Sequence, residues 1–348
     1  MLTTTETQAP VTTKVTLTFS DGIAHELAVE PGQSVLDAGL AAGLPLLHQC
    51  RSGSCSSCFA TLAEGAAETL PGCGSSLLAA ERAEGGRLLC VTAATSDCRF
   101  VLPYDSKVGE QRAAEGHAFV NVVERVAADV MRLELELAEG CWFDLRPGQF
   151  IRVKVPGTEQ MRSYSVSSPP SALPKIELLI RLLPGGVMSQ WLLDSAAVDD
   201  VLEISGPYGS FFLQDGNKAP HVMIAGGTGL APMMAMLDTL RARPGRKPPI
   251  LLSFGCQSAE GLFHREAIAL RELWLPGLTV QISVDRGPAP EGVRVGNPVQ
   301  AIGADGPLDP ATVAYLCGPP GMLEAGRAHL LKLGLAPDNI HMEQFSAS

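Results

Sequence analysis

Three things are scarce in this 348-residue chain, and each scarcity narrows its class. There is no unbroken apolar stretch of membrane length. The longest apolar run, 222–237, is interrupted by Gly226, Gly227, Gly229 and Pro232, which excludes a membrane span. The opening MLTTTETQAPVTT has no basic region followed by an apolar core, so it does not read as a secretory signal. A cytoplasmic, reducing setting with no membrane partner is therefore the expectation. Basic side chains are also short: 26 Lys and Arg stand against 37 Asp and Glu, for a formal net charge of -11. Phosphate binding needs basic surface, so nucleic acid is not an expected partner. Apolar residues, by contrast, make up 46% of the chain, enough for several cores, and the length suits two or three domains.

Cysteine is not scarce. An odd count of nine, with no signal sequence, argues against a disulfide framework. Cys50, Cys55 and Cys58 lie in CRSGSCSSC, and Cys90 follows in RLLCVT. This C-x4-C-x2-C run with a distant fourth cysteine is the spacing of a plant-type [2Fe–2S] centre. Zinc sites favour two short Cys or Cys/His pairs, and here three cysteines crowd one loop while the fourth stands alone. A Rieske centre needs two histidines on one iron, and His48 has no paired histidine, so it reads as a structural residue. The small residues between the cysteines let backbone N–H groups approach the cluster sulfurs, which tune a potential typically of about −400 mV. The chemistry indicated is one-electron transfer. Of the remaining Cys73, Cys98, Cys141, Cys256 and Cys317, four read as small buried hydrophobes.

The chain divides into pieces of different rhythm. Residues 1–13 read as a flexible N-terminus. From residue 14 come VTLTF, an Asp21-Gly22 turn and AHELAV, a hairpin signal. Ser34 caps the helical SVLDAGLAAG, which Gly43 stops. With strands near 59–63 and 99–102 around the cysteine loop, residues 14–104 describe a small β-grasp ferredoxin domain. Residues 105–116 are polar and aperiodic and read as a linker. Six short β-prone runs over 117–216 then point to an antiparallel β-barrel. Over 217–348, apolar strands alternate with helix-length segments, the signature of a parallel α/β sheet.

Two stretches of the barrel region carry chemistry. In RSYSVSS, strand alternation puts Arg162, Tyr164 and Val166 on one side and Ser163 and Ser165 on the other. A cation, an aromatic plate and hydroxyls suit a ligand with a phosphate and a flat ring. Downstream, Gly185, Gly186, Val187, Met188 and Ser189 lead into the helical WLLD, a backbone anion site. In the α/β region, the turn AGGTGLAP (Gly226, Gly227, Thr228, Gly229, Pro232) joins a strand to a helix. Its glycines let the backbone approach a pyrophosphate, although GGTG is not GxGxxG. Cys317 and Gly318, in CGPPG, end a second strand at the same edge of the sheet, where open α/β sheets bind ligands.

RSYSVSS, GGVMS, GPYGSF, AGGTGLAP and CGPPGM, in that order, resemble the ferredoxin–NADP reductase superfamily. With the ferredoxin domain in front, the chain resembles the reductase components of bacterial aromatic-ring dioxygenases, the benzoate dioxygenase reductase type in its domain order. The resemblance implies three cofactors: a [2Fe–2S] cluster on Cys50, Cys55, Cys58 and Cys90, FAD, and NADH, with NADPH use left open. It implies that Arg162, Gly186, Val187, Met188 and Ser189 bind the flavin pyrophosphate. Tyr164 would lie against the isoalloxazine ring and Ser165 near its N5, with Val166 also among the cofactor-binding residues. Gly227, Thr228, Gly229, Pro232 and Gly318 would serve the pyridine nucleotide, with Cys317 beside the nicotinamide. Met342, Glu343, Gln344 and Phe345 resemble the family's C-terminal Tyr-Glu-Lys-Phe, which makes Glu343 a charge-stabilising group and Phe345 a cover over the flavin. Arg286, after the third strand and beside Asp285, stands where NADP-type relatives place an arginine for the 2′-phosphate. The expected activity is hydride transfer from NAD(P)H to FAD, then single electrons through the cluster to a terminal oxygenase or an intermediary ferredoxin, by a monomer. A reductase of a soluble monooxygenase or a deoxysugar dehydratase shares this domain set. A non-enzymatic redox sensor is the alternative of another class, and it would need no hydride pocket.

Overall fold

The computed structural model describes residues 12–214, 218–303 and 307–345. The N-terminus expected to be flexible lies, through residue 11, outside the described residues, as do residues 346–348. The chain forms two compact units: one holds the residues through Arg112 with Tyr208–Ser210, the other Ala113–Pro207 and the residues from Phe211 on.

In the first unit the elements are β1 (Thr13–Thr18), β2 (Ala24–Val29), α1 (Val35–Ala41), β3 (Phe59–Glu64), β4 (Ala67–Thr69), α2 (Ala79–Ala83), β5 (Gly86–Leu88), β6 (Thr92–Ala94), β7 (Cys98–Val101) and α3 (Ser106–Gly109). β1 and β2 form the hairpin expected from Asp21-Gly22. The sheet runs β2-β1-β7-β3-β5, with β1 parallel to β7, and β4 pairs with β6 apart from it. Alternation along β1 turns Val15 and Leu17 inward, where α1 buries Val35 and Leu36. Ser34 caps α1 by accepting the Asp37 N–H at 3.0 Å. Helix over mixed sheet is the β-grasp arrangement.

The stretch 105–116, expected to be an aperiodic linker, has structure at both ends. α3 is pinned to the ferredoxin unit: the Ser106 N–H and O–H donate to Asp21 Oδ2 at 3.0 and 2.7 Å, and Val108 is buried. Just before it, Tyr104 is buried and its hydroxyl accepts the Leu47 N–H at 3.0 Å. The polar composition that reads as a linker is here spent on hydrogen bonds to the β1–β2 turn.

The second unit begins with β8 (Ala114–Ala127), β9 (Val130–Leu137), β10 (Phe150–Lys154), β11 (Met161–Ser165), β12 (Lys175–Arg181), α4 (Val187–Asp194) and β13 (Val201–Tyr208). These strands follow the order β11-β10-β13-β8-β9-β12. The two ends meet: Val166 bridges Leu178, and the Ser167 N–H donates to Glu177 O at 2.8 Å, closing the barrel. Val120, Leu133, Leu135, Ile151, Val153 and Leu178 fill its interior.

The rest of this unit is β14 (His221–Gly226), α5 (Leu230–Ala242), β15 (Ile250–Cys256), α6 (Arg265–Trp274), β16 (Leu278–Val284), β17 (Arg294–Val295), β18 (Val313–Gly318), α7 (Pro320–Lys332) and β19 (Ile340–Gln344). All six strands are parallel, in the order β17-β16-β15-β14-β18-β19. Chain order reverses between β14 and β18. The crevice beyond the carboxyl ends of those two strands is the switch point where such sheets bind ligands. Among the described residues no helix is long and apolar enough to cross a membrane.

Candidate functional site: a cluster loop and a nucleotide crevice

The cluster loop owes its shape to three residues in the left-handed region, Arg51, Gly53 and Ser56, at φ 54°, 78° and 56°. At Gly53 a Cβ would lie 2.3 Å from Gly74 O, so only glycine fits between the two loops. The tight path turns backbone toward sulfur: the Ser52 and Ser54 N–H groups donate to Cys50 Sγ, and the Cys50 N–H to Cys55 Sγ, each at 3.4 Å. Cys58 is buried at the start of β3, and its carbonyl accepts the Leu89 N–H at 3.0 Å, which brings the turn carrying Cys90 alongside.

The four thiols hydrogen-bond among themselves, Cys55 and Cys90 to Cys50, and Cys90 to Cys58. Cys50 and Cys58 are held below the ordinary thiol range by these bonds, while Cys55 and Cys90, as donors, are pushed up. Among the described residues no three His, Cys, Asp or Glu side chains gather around a single-ion site. Four thiols in mutual contact, with N–H groups aimed at sulfur, fit a two-iron cluster, whose irons each take two thiolates. His48 donates its Nδ1–H to Leu46 O at 2.9 Å, as a structural histidine does. Of the spare cysteines, Cys98, Cys256 and Cys317 are buried. Cys73 is exposed and Cys141 half-buried, so the expectation of four buried hydrophobes fails at Cys73, which sits in a Leu70–Cys73 turn facing water.

In the second unit, three segments distant in sequence meet. Ser165, at the last position of β11, is buried and donates its hydroxyl to Glu343 Oε2 at 2.8 Å. Glu343 stands beside Cys317 because β18 and β19 pair in parallel with these residues as partners. Cys317 Sγ lies 3.9 Å from the same carboxylate oxygen. Part of Glu343 remains open, but its carboxyl end is turned inward. That burial raises its pKa from 4.5 to about 7, against the lowering effect of the Ser165 and Cys317 hydrogen bonds. Burial and the neighbouring carboxylate push the Cys317 thiol well up. Phe345 follows, its N–H donating to Gly318 O at 3.0 Å and its ring packed, half-buried, against the core of the α/β domain.

The glycines of the crevice are required by close approach. A Cβ at Gly229 would sit 2.1 Å from Cys317 O, so the turn after β14 and the end of β18 touch through backbone. Gly227 has φ +55° and open space around it. Thr228 is buried beside it, α5 starts without a side-chain cap, and Pro232 is buried in its first turn. Bare N–H groups and room for phosphate fit a pyridine nucleotide. α4 is likewise uncapped, with Gly186 at its N-cap. Ser189 Oγ accepts the Leu183 N–H at 2.8 Å, leaving its own hydrogen to donate, while Val187 and Met188 pack on the barrel core. Arg162 donates to Gln160 Oε1 at 2.6 Å, and Tyr164 lies half-buried against the barrel. These residues fit a flavin nucleotide. Val166 does so only through its backbone, because its side chain is in the barrel core. Arg286 is exposed at the carboxyl end of β16, with Nη2 3.2 Å from Gln257 Oε1 at the end of β15.

Two residues of this site were given no role from the sequence, although Gln149 lies in the Pro147-Gly148-Gln149-Phe150 run that matches the family's strand start. Gln149 is fully buried; its Oε1 accepts the Arg146 N–H at 2.9 Å and its carbonyl the Val166 N–H at 3.1 Å, which sets the end of the RSYSVSS strand. Met322 leans across the crevice floor: a Cβ at either Gly226 or Gly318 would come within 2.7 Å of its thioether end. The signal was the methionine four residues after Gly318 in CGPPGM.

Comparison with known proteins agrees with this layout. Residues 18–95 match a 2Fe-2S iron-sulfur cluster binding domain, 117–213 an oxidoreductase FAD-binding domain, and 223–328 an oxidoreductase NAD-binding domain. The chain is 32% identical over 348 residues to the toluate 1,2-dioxygenase electron transfer component of Pseudomonas putida, covering 97% of this chain and 100% of that one. It is 32% identical over 329 residues to the reductase component of propane 2-monooxygenase from Gordonia sp. (strain TY-5), covering 92% and 94%. Among solved structures, a cytochrome P450 reductase of Amycolatopsis superposes with TM-score 0.71 at 30% identity, covering 96% and 99% of the two chains. Three domains in this order, with full-length relatives above 30% identity, place the chain in the family of iron–sulfur flavoprotein reductases of the ferredoxin–NADP reductase type, which take hydride from NAD(P)H onto FAD and pass single electrons to a [2Fe–2S] cluster.

Proposed function

We propose that this reductase serves an aromatic-ring dioxygenase system, drawing on NADH and accepting NADPH less well, and that the Ser165–Glu343–Cys317 contact is the centre of its hydride site. When bound, the flavin supplies the conversion of a two-electron hydride into single electrons, and the cluster supplies their outlet. The chain's own residues do the rest. Arg162 and the N-terminus of α4 bind the flavin's pyrophosphate, and Tyr164 gives a flat wall for its ring. Gly227, Thr228, Gly229 and the N-terminus of α5 bind the nucleotide's pyrophosphate at the switch point, which orients its reactive end toward Cys317. The Glu343 carboxyl holds a proton near neutral pH while its Oε2 accepts the Ser165 hydroxyl, so charge arriving at that spot meets a proton source. Phe345 would cover the flavin ring where the nicotinamide must stack. Cys50, Cys55, Cys58 and Cys90 hold the cluster.

The observation that carries this reading is the meeting of Ser165 and Cys317 on one carboxylate oxygen, at the switch point of the parallel sheet. A non-enzymatic redox sensor has no use for such a site. For nucleotide choice, Asp285 beside Arg286 supports NADH as the better donor, with the exposed guanidinium tolerating a 2′-phosphate. A second reading, a soluble monooxygenase as the electron acceptor, is favoured by the equal identity to a propane 2-monooxygenase reductase component.

The modular electron path is tested with Cys58→Ser. This variant is expected to lose cluster absorbance and iron while keeping NADH–ferricyanide activity at the wild-type rate. Loss of flavin reduction in a folded variant refutes the assignment. The acceptor is tested by pull-down from the native host: capture of a Rieske-type oxygenase supports the first reading, and capture of a diiron hydroxylase the second.

A further inference from the structure

Beside the strand turn that carries Cys90, the ferredoxin unit has a polar recess of about 180 Å³, with Thr69, Ser75, Arg82, Arg87, Val91 and Thr92 among its lining residues. Arg82 belongs to α2 and Arg87 to β5, two elements that pack on each other. Both guanidiniums are fixed by one nitrogen. Arg82 Nη1 donates to Leu77 O at 2.8 Å, and Arg87 Nη1 to Gly86 O at 2.8 Å and to the carbonyl of Arg82 itself at 3.0 Å. A guanidinium has five N–H donors in a rigid fork, so each keeps hydrogens on Nη2 and Nε. Among the described residues neither arginine is ion-paired with a carboxylate. Both cations line one recess, in a unit where acidic side chains outnumber basic ones. That arrangement gains most from an anion supplied from outside.

We propose that the Arg82–Arg87 recess is the docking point for an acidic side chain of the electron-accepting protein. This rests on the electron-transfer role proposed above. The ligand class is a protein carboxylate: a planar carboxylate matches the guanidinium fork and can engage both arginines, with the hydroxyls of Thr69 and Ser75 at the recess wall. The place favours a redox partner over a free metabolite. Leu88, Val91 and Thr92 line the recess, and Leu89 and Cys90 lie between them in sequence, so a protein seated here rests against the segment bearing the fourth cluster cysteine. Electron transfer requires that proximity, and a stored small anion does not. The rest of the domain's acidic surface then rejects misplaced acidic partners, which gives the contact its register.

The test uses the full holoprotein and two one-electron acceptors of opposite charge, rubredoxin (acidic) and cytochrome c (basic). An Arg82→Gln/Arg87→Gln variant is expected to lose about tenfold in kcat/KM for rubredoxin, the effect of a lost charge-assisted bond, with cytochrome c reduction unchanged or faster. Arg82→Lys/Arg87→Lys should recover part of the loss, because the charge returns without the fork. The visible circular dichroism of the cluster and its bleaching by NADH are read on every variant. Unchanged cluster signals with equal losses on both acceptors, or no loss on rubredoxin, overturn the proposal. Citrate should inhibit rubredoxin reduction by the wild type and not by the glutamine variant; equal inhibition of both counts against the recess as the anion site. A wild-type chain whose cluster fails to bleach with NADH refutes the electron path instead, and the docking role with it.

Discussion

Replacing Glu343 by glutamine tests the hydride-site geometry most directly, because the two residues have the same shape and only one of them ionises. In the folded chain the carboxyl of Glu343 titrates at about 7, against 4.5 when free, with burial as the main cause. A folded-state pKa raised this way means that the native protein binds the proton more tightly than the unfolded chain. The group's stabilising contribution is therefore fully present below pH 4.5 and lost as pH rises through about 7. At about 1.4 kcal/mol per pH unit the loss reaches about 3 kcal/mol, an upper figure because part of the residue remains open to water. Glutamine mimics the protonated acid at every pH, and its Oε1 can still accept the Ser165 hydroxyl. Glu343→Gln should therefore differ little from wild type at pH 4.5 and exceed it by up to about 3 kcal/mol at pH 8, or about 6–12 °C in melting temperature for a unit of this size. Urea and thermal unfolding of both proteins across that pH range, at one FAD concentration, measures the difference, and other titrating groups cancel in it. A difference that stays constant from pH 4.5 to 8 refutes the burial of the carboxyl and the proton-holding role built on it.

His221 is buried at the start of β14 with neither ring nitrogen hydrogen-bonded among the described residues, and burial, with Arg243 nearby, lowers its pKa to about 4. Since the unfolded chain takes up the proton first, wild type should lose up to about 3 kcal/mol as pH falls from 6.5 to 4; His221→Phe should remove that slope in acid melts, and an unchanged slope would show the imidazole to be solvated. Arg286→Ala should cost NADPH about 10- to 100-fold in kcat/KM, the worth of a charge-assisted bond to a 2′-phosphate, and NADH little; equal losses count against a phosphate contact. Phe345→Ala separates two roles of a half-buried ring: a flavin cover predicts tighter NAD+ binding with modest destabilisation, whereas a core anchor predicts a loss of about 3–5 kcal/mol with NAD+ affinity unchanged.

What could be read ahead of the structure was local. The cluster cysteines declare themselves because nine residues of one loop carry three ligands, and a loop that must wrap a cluster has little freedom in spacing. Ser34, Gly43 and Asp21-Gly22 were legible for the same reason, since caps and tight turns are settled by a few neighbouring residues. The six barrel strands showed in their β-prone runs, but the contact that closes the barrel did not. Val166 against Leu178 is a single bridge between strands whose order along the chain gives no hint of their pairing. The helix at the start of 105–116 did not show because hydrogen-bonding side chains look alike whether they face water or, as with Ser106 and Asp21, face each other across 85 residues.

The crevice divides along the same line. RSYSVSS and CGPPG each point to a ligand on their own, yet neither contains the reason that Ser165 and Cys317 meet on one carboxylate oxygen. That reason is register. The parallel pairing of β18 with β19 places Glu343 opposite Cys317, and a shift of one residue would turn the carboxyl to the other face of the sheet, away from Ser165. The hydrogen bond from Phe345 N–H to Gly318 O continues that register by two residues, so it also fixes where the ring of Phe345 can lie. Glycine at 229 follows from this too. At Gly229 a Cβ would sit 2.1 Å from Cys317 O and push the turn away from β18, breaking the alignment of Cys317 with Glu343, whereas at Gly226 and Gly318 it would first meet the thioether end of Met322. The glycine usually read as room for a phosphate is, at Gly229, first a condition for the close approach of backbone to backbone, and of these four Gly227 alone has open space for the ligand.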